Sequence, residues 1–269
     1  MNVDRKKLAI DIVHTASMMI REYARNVDTD ASLKEKISML FLARSIRQLQ
    51  SIFGLVGHSF VSDGLVLLRP LLERYLLFRH LCQTDEFAVF DDWCFRENYE
   101  QLNRIKSINA FAGKPEMKGR RFTLDQQNRY KRVCADKQVT CWRRPDMEDV
   151  ARKLEMKFLY DACYVWASGY VHPSTQEGDS DFWALMGKKN DEAQDEVDVL
   201  LRNAALVTIL HMQHFMNEPE YNWRKELYDL IDGFAKVAGR EQSDYVMQLD
   251  DVVRIHESGE GLLARAKAT

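Results

Sequence analysis

The stretch from His58 to Cys82, HSFVSDGLVLLRPLLERYLLFRHLC, is apolar on almost every side of a helix. A helix that is apolar all round is normally buried, so we predict a central helix near residues 62–82. Three polar residues interrupt it, and on a helix Arg69, Glu73 and His80 lie within about 40° of one another. This stretch therefore predicts a buried helix with an internal polar row, and Pro70 should bend that helix or mark its start.

The composition favours helices throughout the chain. Only 12 glycines and 5 prolines occur in 269 residues, which is few for a protein rich in turns. No segment alternates apolar and polar residues between turn signals, as strands do, and no strong linker divides the chain. We therefore predict an all-α fold, a single multi-helix bundle over residues 1–269 in which residues 240–269 form a peripheral tail.

The composition and the first residues of the sequence also predict where the protein is located in the cell. The five cysteines form an odd set without a CxxC pair, which favours a reducing compartment over a disulfide framework. The first twenty residues predict an amphipathic helix and no signal peptide. No run of 18 apolar residues occurs, so no membrane span is expected. Together these features predict a cytoplasmic protein.

A second polar row lies in the segment KFLYDACYVWASGYVHPS. If it is helical, Asp161, Ser168 and His172 share one face, with Tyr164 beside them. At a helix C-terminus His172 would favour the imidazolium form, which could bind an oxyanion or act as a general acid. Equally, His172 could cap the last carbonyls while Ser168 bonds back to the preceding turn.

The two polar rows together define the predicted site. Arg69 and Glu73 at i, i+4 can form an ion pair, and a buried pair needs further hydrogen-bond partners. The second row could supply these, so helices 62–82 and 157–172 should be neighbours. The candidate site residues, with catalytic roles if the protein is an enzyme, are Arg69, Glu73, His80, Ser168 and His172.

Motifs for metals, cofactors and acyl transfer are missing. There is no ExxH motif for a di-metal bundle, no GxSxG elbow and no glycine-rich phosphate loop. His211 and His214 at i, i+3 could supply two metal ligands, but no carboxylate motif accompanies them, and a pair of half-buried histidines explains them better. We predict no metal and no cofactor.

Charge is unevenly distributed along the chain. The segment Lys114–Arg144 has ten Lys and Arg against three acids, with Phe122, Tyr130 and Trp142 interspersed. Such a segment could bind RNA through phosphate contacts and base stacking. Residues 177–198 carry eight acids against two lysines. The simpler interpretation is two solvated surfaces that attract each other, within the chain or between subunits of a homodimer.

The segments LLRPLLERYLLFRHL and YVWASGYVHPS resemble a bacterial all-helical family of unknown function, DUF5677. The resemblance rests on an Arg with a Glu four residues later, here Arg69 and Glu73, and on a Ser-x-x-x-His ending preceded by valine, here Ser168, Val171 and His172. By helix order it extends over roughly residues 40 to 215. It implies a helical fold and a prokaryotic origin, and it implies no particular reaction.

A looser resemblance is to HEPN-type ribonucleases, helical dimers of toxin and phage-defence systems. Their motif has an Arg, a polar residue and a His after four to six intervening positions, which Arg74 to His80 matches in spacing, with Tyr75 at the polar position. The resemblance implies RNA cleavage without a metal, by proton transfer from a His and phosphate stabilisation by an Arg.

Two functions follow from these observations. The first is an interaction or binding module whose polar centre, made of Arg69, Glu73, Ser168 and His172, is structural or holds a small anion. The alternative is a HEPN-type metal-independent ribonuclease, with His80 or His172 as the acid–base group and RNA held by Lys114–Arg144.

Overall fold

The structure is a computed structural model that describes residues 5–26, 32–108, 122–171, 178, 182, 185–186, 192–217, 224–239, 243 and 245–257. Its helices, in chain order, are α1 (Arg5–Asn26), α2 (Leu33–Gly57), α3 (Val61–Thr84), α4 (Phe87–Ser107), α5 (Leu124–Ala135), α6 (Lys137–Cys141), α7 (Met147–Lys153), α8 (Lys157–Tyr160), a π-helical turn (Asp161–Val165), α9 (Trp166–Ser168), α10 (Glu192–Phe215), α11 (Arg224–Ala238) and α12 (Tyr245–Glu257). Every regular element in these ranges is helical, which confirms the predicted all-α fold.

The chain divides into two compact units. The first contains residues 1–79 and 147–269, and the second contains residues 80–146. No helix within the described ranges is long and apolar enough to cross a bilayer. All five cysteines lie in described positions, and none forms a disulfide. The single domain over residues 1–269 stays a prediction.

The core of the first unit is built around α2 and α10, which pack against each other, while α1 packs against both. Each of the three helices buries one stripe of apolar side chains, as helical periodicity requires. The fully buried members include Ile12, Met19, Leu42, Leu49, Leu200, Ala204 and Val207.

Helix α3 is buried as the sequence predicts. Leu65, Leu68, Leu72 and Leu76 all have no exposed surface, and the helix continues through Pro70 without ending there. It approaches α10 closely, because a Cβ added to Gly64 would lie 2.9 Å from Cδ2 of Leu200. His58 is not part of α3, since it is the C-cap of α2.

Helices α11 and α12 complete the first unit. They pack against each other, and a Cβ added to Gly233 would lie only 2.7 Å from Cβ of Tyr245. The Tyr245 hydroxyl donates to Asp11 on α1 at 3.0 Å, and Val252 is fully buried. Thus α12, although it lies within residues 240–269, packs into the first unit.

Helix starts follow the sequence signals. Ser32 and Glu35 form the predicted capping box at the start of α2, with each side chain bonded to the other residue's backbone N–H. Burial would raise the pKa of Glu35, but the hydrogen bonds from Ser32 outweigh it and lower that pKa. Thr123 and Gln126 form a second capping box at α5.

The second unit packs α4 against α5 and α6. One contact is a three-ring stack around Tyr99. The centroid of the Tyr99 ring lies 3.7 Å from the centroid of Phe122 and 4.0 Å from that of Tyr130. Arg129 on α5 donates to both Asp91 at 2.6 Å and Asp92 at 2.7 Å on α4. Aromatic stacking and ion pairing thus hold these short helices to α4.

Candidate functional site

The polar row on α3 begins with a half-buried ion pair. Nε of Arg69 lies 3.3 Å from Oε1 of Glu73, one helical turn later. The two side chains are 22% and 16% exposed, so the pair is shielded from most solvent without being sealed from it. Such a position strengthens a charge pair relative to one on the surface.

Arg69 also connects α3 to the segment of the second polar row. Its Nη2 donates to the Tyr164 hydroxyl at 2.7 Å, and its Cζ lies 4.4 Å from the centroid of the Tyr164 ring. A guanidinium that both bonds to a tyrosine hydroxyl and lies over the ring combines a charge-assisted hydrogen bond with a cation–π contact. The two helical segments are therefore neighbours at this point.

A π-helical turn carries Tyr164. The turn, Asp161–Val165, follows α8 directly, and such turns contain one more residue than an α-helical turn and occur often at functional sites. Tyr160 and Tyr164 stack across it with centroids 4.6 Å apart. The stack and the bond from Arg69 together fix the position of the Tyr164 ring.

Ser168 bonds back to the preceding turn. Its hydroxyl donates to the Tyr164 carbonyl at 2.6 Å, which is the structural role considered for it from the sequence. Asp161 is exposed and pairs with Lys157, so it does not join Arg69 and Glu73. The predicted shared face of Asp161 and Ser168 assumed a regular α-helix, and the π-helical turn changes that register.

Of the other two predicted site residues, the structure describes only His80. His80 belongs to the second unit, where its Nε2 lies 3.6 Å from a Glu86 carboxylate oxygen. His172 lies outside the described residues, and its place in the site stays a prediction. Among described residues, the structure thus brings together Arg69, Glu73 and the segment carrying Ser168, with Tyr164 as the link.

A second polar cluster, which the sequence analysis did not assemble, lies inside the first unit among α2, α3 and α10. It consists of Ser45, Gln48, Arg74, Tyr75, Arg79, His211 and His214. Arg74 donates to the Gln48 side chain, and Arg79 donates to both Tyr75 and His214. The only sign of this cluster in the sequence is that each of the three helices has polar residues on its mainly apolar, core-facing side.

The hydrogen bonds around His214 define its protonation state. Its Nδ1 lies 2.8 Å from the Leu210 carbonyl, which can only accept, so we assign the ring proton to Nδ1. Nε2 faces Nη1 of Arg79, which can only donate, so Nε2 carries no proton. Burial and the Arg79 charge accordingly lower the pKa of His214, against the opposing effect of the bond to Leu210.

His211 is fully buried and neutral. Ser45 donates its hydroxyl hydrogen to the Phe41 carbonyl, so the 3.0 Å contact between Ser45 Oγ and His211 Nδ1 is best assigned as Nδ1 donating. Nε2 is then a buried acceptor without a partner among the described residues. Burial, with the nearby Arg74 charge, lowers the pKa of His211 to about 3.

This arrangement does not make a metal site within the described ranges, where no group of three or more potential ligands comes together. His211 and His214 lie on one helix as the sequence indicates. However, a nitrogen of the His211 ring is hydrogen-bonded to Ser45, and a nitrogen of the His214 ring is hydrogen-bonded to Arg79. A cation such as Arg79 next to a histidine nitrogen also opposes metal binding.

The aromatic residues of the basic segment are engaged inside the second unit. Phe122 and Tyr130 stack on Tyr99, while Trp142 is 8% exposed and packs against Phe90 and Trp93. The Trp142 Nε1 donates to Glu86 at 3.2 Å. These contacts explain the aromatic residues of the basic segment as packing within the second unit, without a role in RNA binding.

Comparison with known protein families gives a match. The model of a family of unknown function, DUF5677, matches residues 35–193, which is more than half of the chain. The match includes the Arg69–Glu73 pair and the Tyr164–Ser168 segment. No curated protein and no solved structure matches the chain.

Proposed function

Given that the chain belongs to the DUF5677 family of unknown function, we propose that it is a binding module whose polar centre holds a small anionic group. The polar centre is the one predicted from the sequence, Arg69, Glu73, Ser168 and His172, and Tyr164 connects its described members. The observation that carries this proposal is the half-buried Arg69 guanidinium, which is oriented by two partners and retains donors for a third.

The donor count of Arg69 supports anion binding. A guanidinium has five N–H donors, and Nε and Nη2 bond to Glu73 and Tyr164. Nη1 has no partner among the described residues, and the side chain keeps 22% of its surface exposed. A fixed guanidinium with unused donors is a suitable ligand for phosphate or carboxylate.

The remaining residues of the centre have positioning or charge roles in this proposal. The Ser168 hydroxyl hydrogen is used by the Tyr164 carbonyl, so Ser168 helps to fix Tyr164 and does not donate to a ligand. Glu73 neutralises part of the Arg69 charge. The second positive charge that a phosphate needs would come from His172 in its imidazolium form.

Binding of inorganic phosphate tests this proposal. We expect phosphate to raise the melting temperature of the wild-type protein beyond the general stabilisation that an excluded kosmotropic ion gives every variant. The additional, phosphate-specific increase is expected because a site-bound ion stabilises the folded state by mass action. Arg69→Met should abolish the phosphate-specific increase, while Arg44→Met, which removes an exposed arginine of α2, should retain it. An equal increase in wild type and Arg69→Met would contradict the proposal.

The alternative, a metal-independent ribonuclease, has less support. Arg74 donates to Gln48 and His80 pairs with Glu86, so neither residue of the Arg74–His80 motif is held ready for an RNA phosphate. Cleavage of varied RNAs by folded wild-type protein, lost in His80→Ala or His172→Ala, would favour the ribonuclease over the binding module.

The predicted homodimer is tested separately, by light scattering of the purified chain.

A further inference from the structure

The π-helical turn at Asp161–Val165 changes the hydrogen bonds of its own backbone. Trp166 follows the turn, and its N–H donates to the carbonyls of Asp161 and Cys163. In a regular α-helix this N–H would donate to the carbonyl four residues earlier, which is that of Ala162. The Ala162 carbonyl therefore does not have the donor that an α-helix would give it.

A side chain of α10 supplies a donor to this carbonyl. Nδ2 of Asn203 donates to the Ala162 carbonyl oxygen at 3.1 Å, across 41 positions of the chain. Asn203 is only 3% exposed, so little water reaches this contact. A buried carbonyl or amide without a hydrogen-bond partner is costly. The contact satisfies both groups and thereby stabilises the π-helical turn relative to an α-helical one.

Two further observations place this segment along α10. Burial raises the pKa of the Cys163 thiol to about 12, and the charge of Arg202 on α10 acts on that pKa in the opposite direction. Beyond α9, the Tyr170 hydroxyl donates to Glu196 at 2.9 Å. Glu196 lies about two helical turns before Asn203 on α10. Asn203 thus belongs to a contact between α10 and the chain on both sides of the turn.

The register of the turn decides where Tyr164 lies. An α-helix rotates by about 100° per residue, and a π-helical turn contains one residue more than an α-helical turn. If these residues became α-helical, the chain after the extra residue would rotate by about 100° relative to α8. Tyr164 would then leave the Arg69 guanidinium, from which its hydroxyl accepts a hydrogen bond at 2.7 Å.

We propose that Asn203 is a positioning residue of the polar centre, because its amide stabilises the π-helical register that brings Tyr164 to Arg69. Asn203 acts through the Ala162 carbonyl and has no direct role in holding a ligand. The consequence for anion binding rests on the proposed function of the polar centre. The control of the turn by Asn203 is independent of it.

Deletion of Ala162 separates this role from a general packing role. Without the extra residue the turn should be α-helical whether or not Asn203 is present. Asn203→Leu, which is similar in size and has no donor, should lower the melting temperature of the otherwise wild-type protein by about 2–8 °C. In the protein that lacks Ala162, the same substitution should lower it less than half as much. Equal losses in the two backgrounds would overturn the proposal.

The position of Tyr164 has its own measurement. Tyr164→Phe removes the acceptor of the bond from Arg69 and should lower the melting temperature of the wild type. In Asn203→Leu this loss should be less than half as large, and deletion of Ala162 should restore it. Thr208→Val is the matched control, because it removes a buried hydroxyl that bonds within α10 and should leave the loss unchanged. A full loss in Asn203→Leu would overturn the proposal.

An unfolded Asn203→Leu protein would also decide the question. Because the shorter turn needs no donor from α10, deletion of Ala162 should restore the helical circular dichroism spectrum of that variant. A protein that stays unfolded after the deletion would show that Asn203 is needed for another reason, and it would overturn the proposal.

Inorganic phosphate tests the connection with the polar centre. Asn203→Leu should lose the phosphate-specific increase in melting temperature, and deletion of Ala162 should restore it. A phosphate-specific increase that persists in Asn203→Leu would overturn the positioning role. A wild type without that increase would contradict anion binding alone, and the effect of Asn203→Leu on the Tyr164→Phe loss would still decide whether Asn203 positions Tyr164.

Discussion

Arg79 on α3 donates a hydrogen bond to Nε2 of His214 on α10, and burial together with the Arg79 charge lowers the pKa of this histidine. The Leu210 carbonyl accepts from Nδ1 of the same ring, so each nitrogen has a partner that suits only one tautomer. The pair belongs to a polar cluster inside a unit whose surrounding side chains are apolar. Polar groups in such surroundings are tolerated when their hydrogen bonds are satisfied.

Removal of the Arg79 charge should raise the pKa of His214. Both burial and Arg79 lower that pKa in the wild type, so Arg79→Met should move it back towards the ordinary value while burial still holds it below. The measurement is an NMR titration of the His214 ring in both proteins. Arg44→Met, which removes an exposed arginine of α2, should leave the His214 titration unchanged, and an unchanged titration in Arg79→Met would contradict the contact.

Acid should destabilise the fold through His211. The pKa of His211 falls from its ordinary value of 6.5 to about 3 on folding, so between these pH values the unfolded chain binds a proton that the folded chain does not. The free energy of unfolding should therefore fall as the pH falls through this range, by about 1.4 kcal/mol per pH unit for one proton. His214, whose pKa is also lowered, acts in the same direction.

Urea unfolding at several pH values measures this dependence. The amide of His211→Gln can still donate to Ser45. Between pH 6 and 4, this variant should reduce the slope of the unfolding free energy against pH by the contribution of about one proton. His14→Gln, which removes an exposed histidine of α1, is the matched control. An equal slope in wild type and His211→Gln would mean that His211 is protonated in the folded protein.

Much of this architecture is readable from the sequence. The apolar stretch around Arg69 and Glu73 predicts a buried α3, and the Ser32–Glu35 capping box predicts the start of α2, since both depend only on residues near in sequence. The π-helical turn at 161–165 was not predicted, because an α-helical and a π-helical turn differ by one residue and no local pattern separates them. The predicted row that includes Asp161 fails for this reason.

The polar cluster around His211 illustrates a different limit. Ser45 and His211 are 166 positions apart, and one sequence contains no information that pairs them. Taken one at a time, the polar residues of this cluster could each be interpreted from the sequence as exposed to solvent or as bonded within their own helix. Only the packing of α2, α3 and α10 shows that they meet, and the same holds for the bond between Arg69 and Tyr164, 95 positions apart.

The coupling between Arg69 and Tyr164 can be measured by a double-mutant cycle. Tyr164→Phe keeps the ring under the guanidinium and removes the hydroxyl acceptor, so it should cost about 1 kcal/mol of unfolding free energy. With Arg69→Met, the cycle should give a coupling energy of about 0.5–1 kcal/mol, since the site is partly open to solvent. A coupling energy near zero would mean that the two side chains do not interact in solution.

Two glycines should respond in opposite ways to alanine. Gly233→Ala should destabilise the protein by about 1–3 kcal/mol, since its Cβ would overlap Cβ of Tyr245 and the helices would have to separate. Gly54→Ala should stabilise it by about 0.5–1 kcal/mol, since Gly54 lies in α2 with open space around it and alanine is the better helix former. Thermal unfolding of both variants beside the wild type measures these changes, and destabilisation by Gly54→Ala would contradict the open space around Gly54.

The π-helical turn holds one more residue than an α-helical turn, so this segment accommodates an extra residue without an extra rotation. Deletion of Ala162 would restore an ordinary turn and leave the residues after it close to their present orientation relative to α8. Ser168 would stay one turn from Tyr164, and the Tyr164 ring would stay near Arg69. A related gene that lacks one codon in this turn could therefore still encode the Arg69–Tyr164 contact.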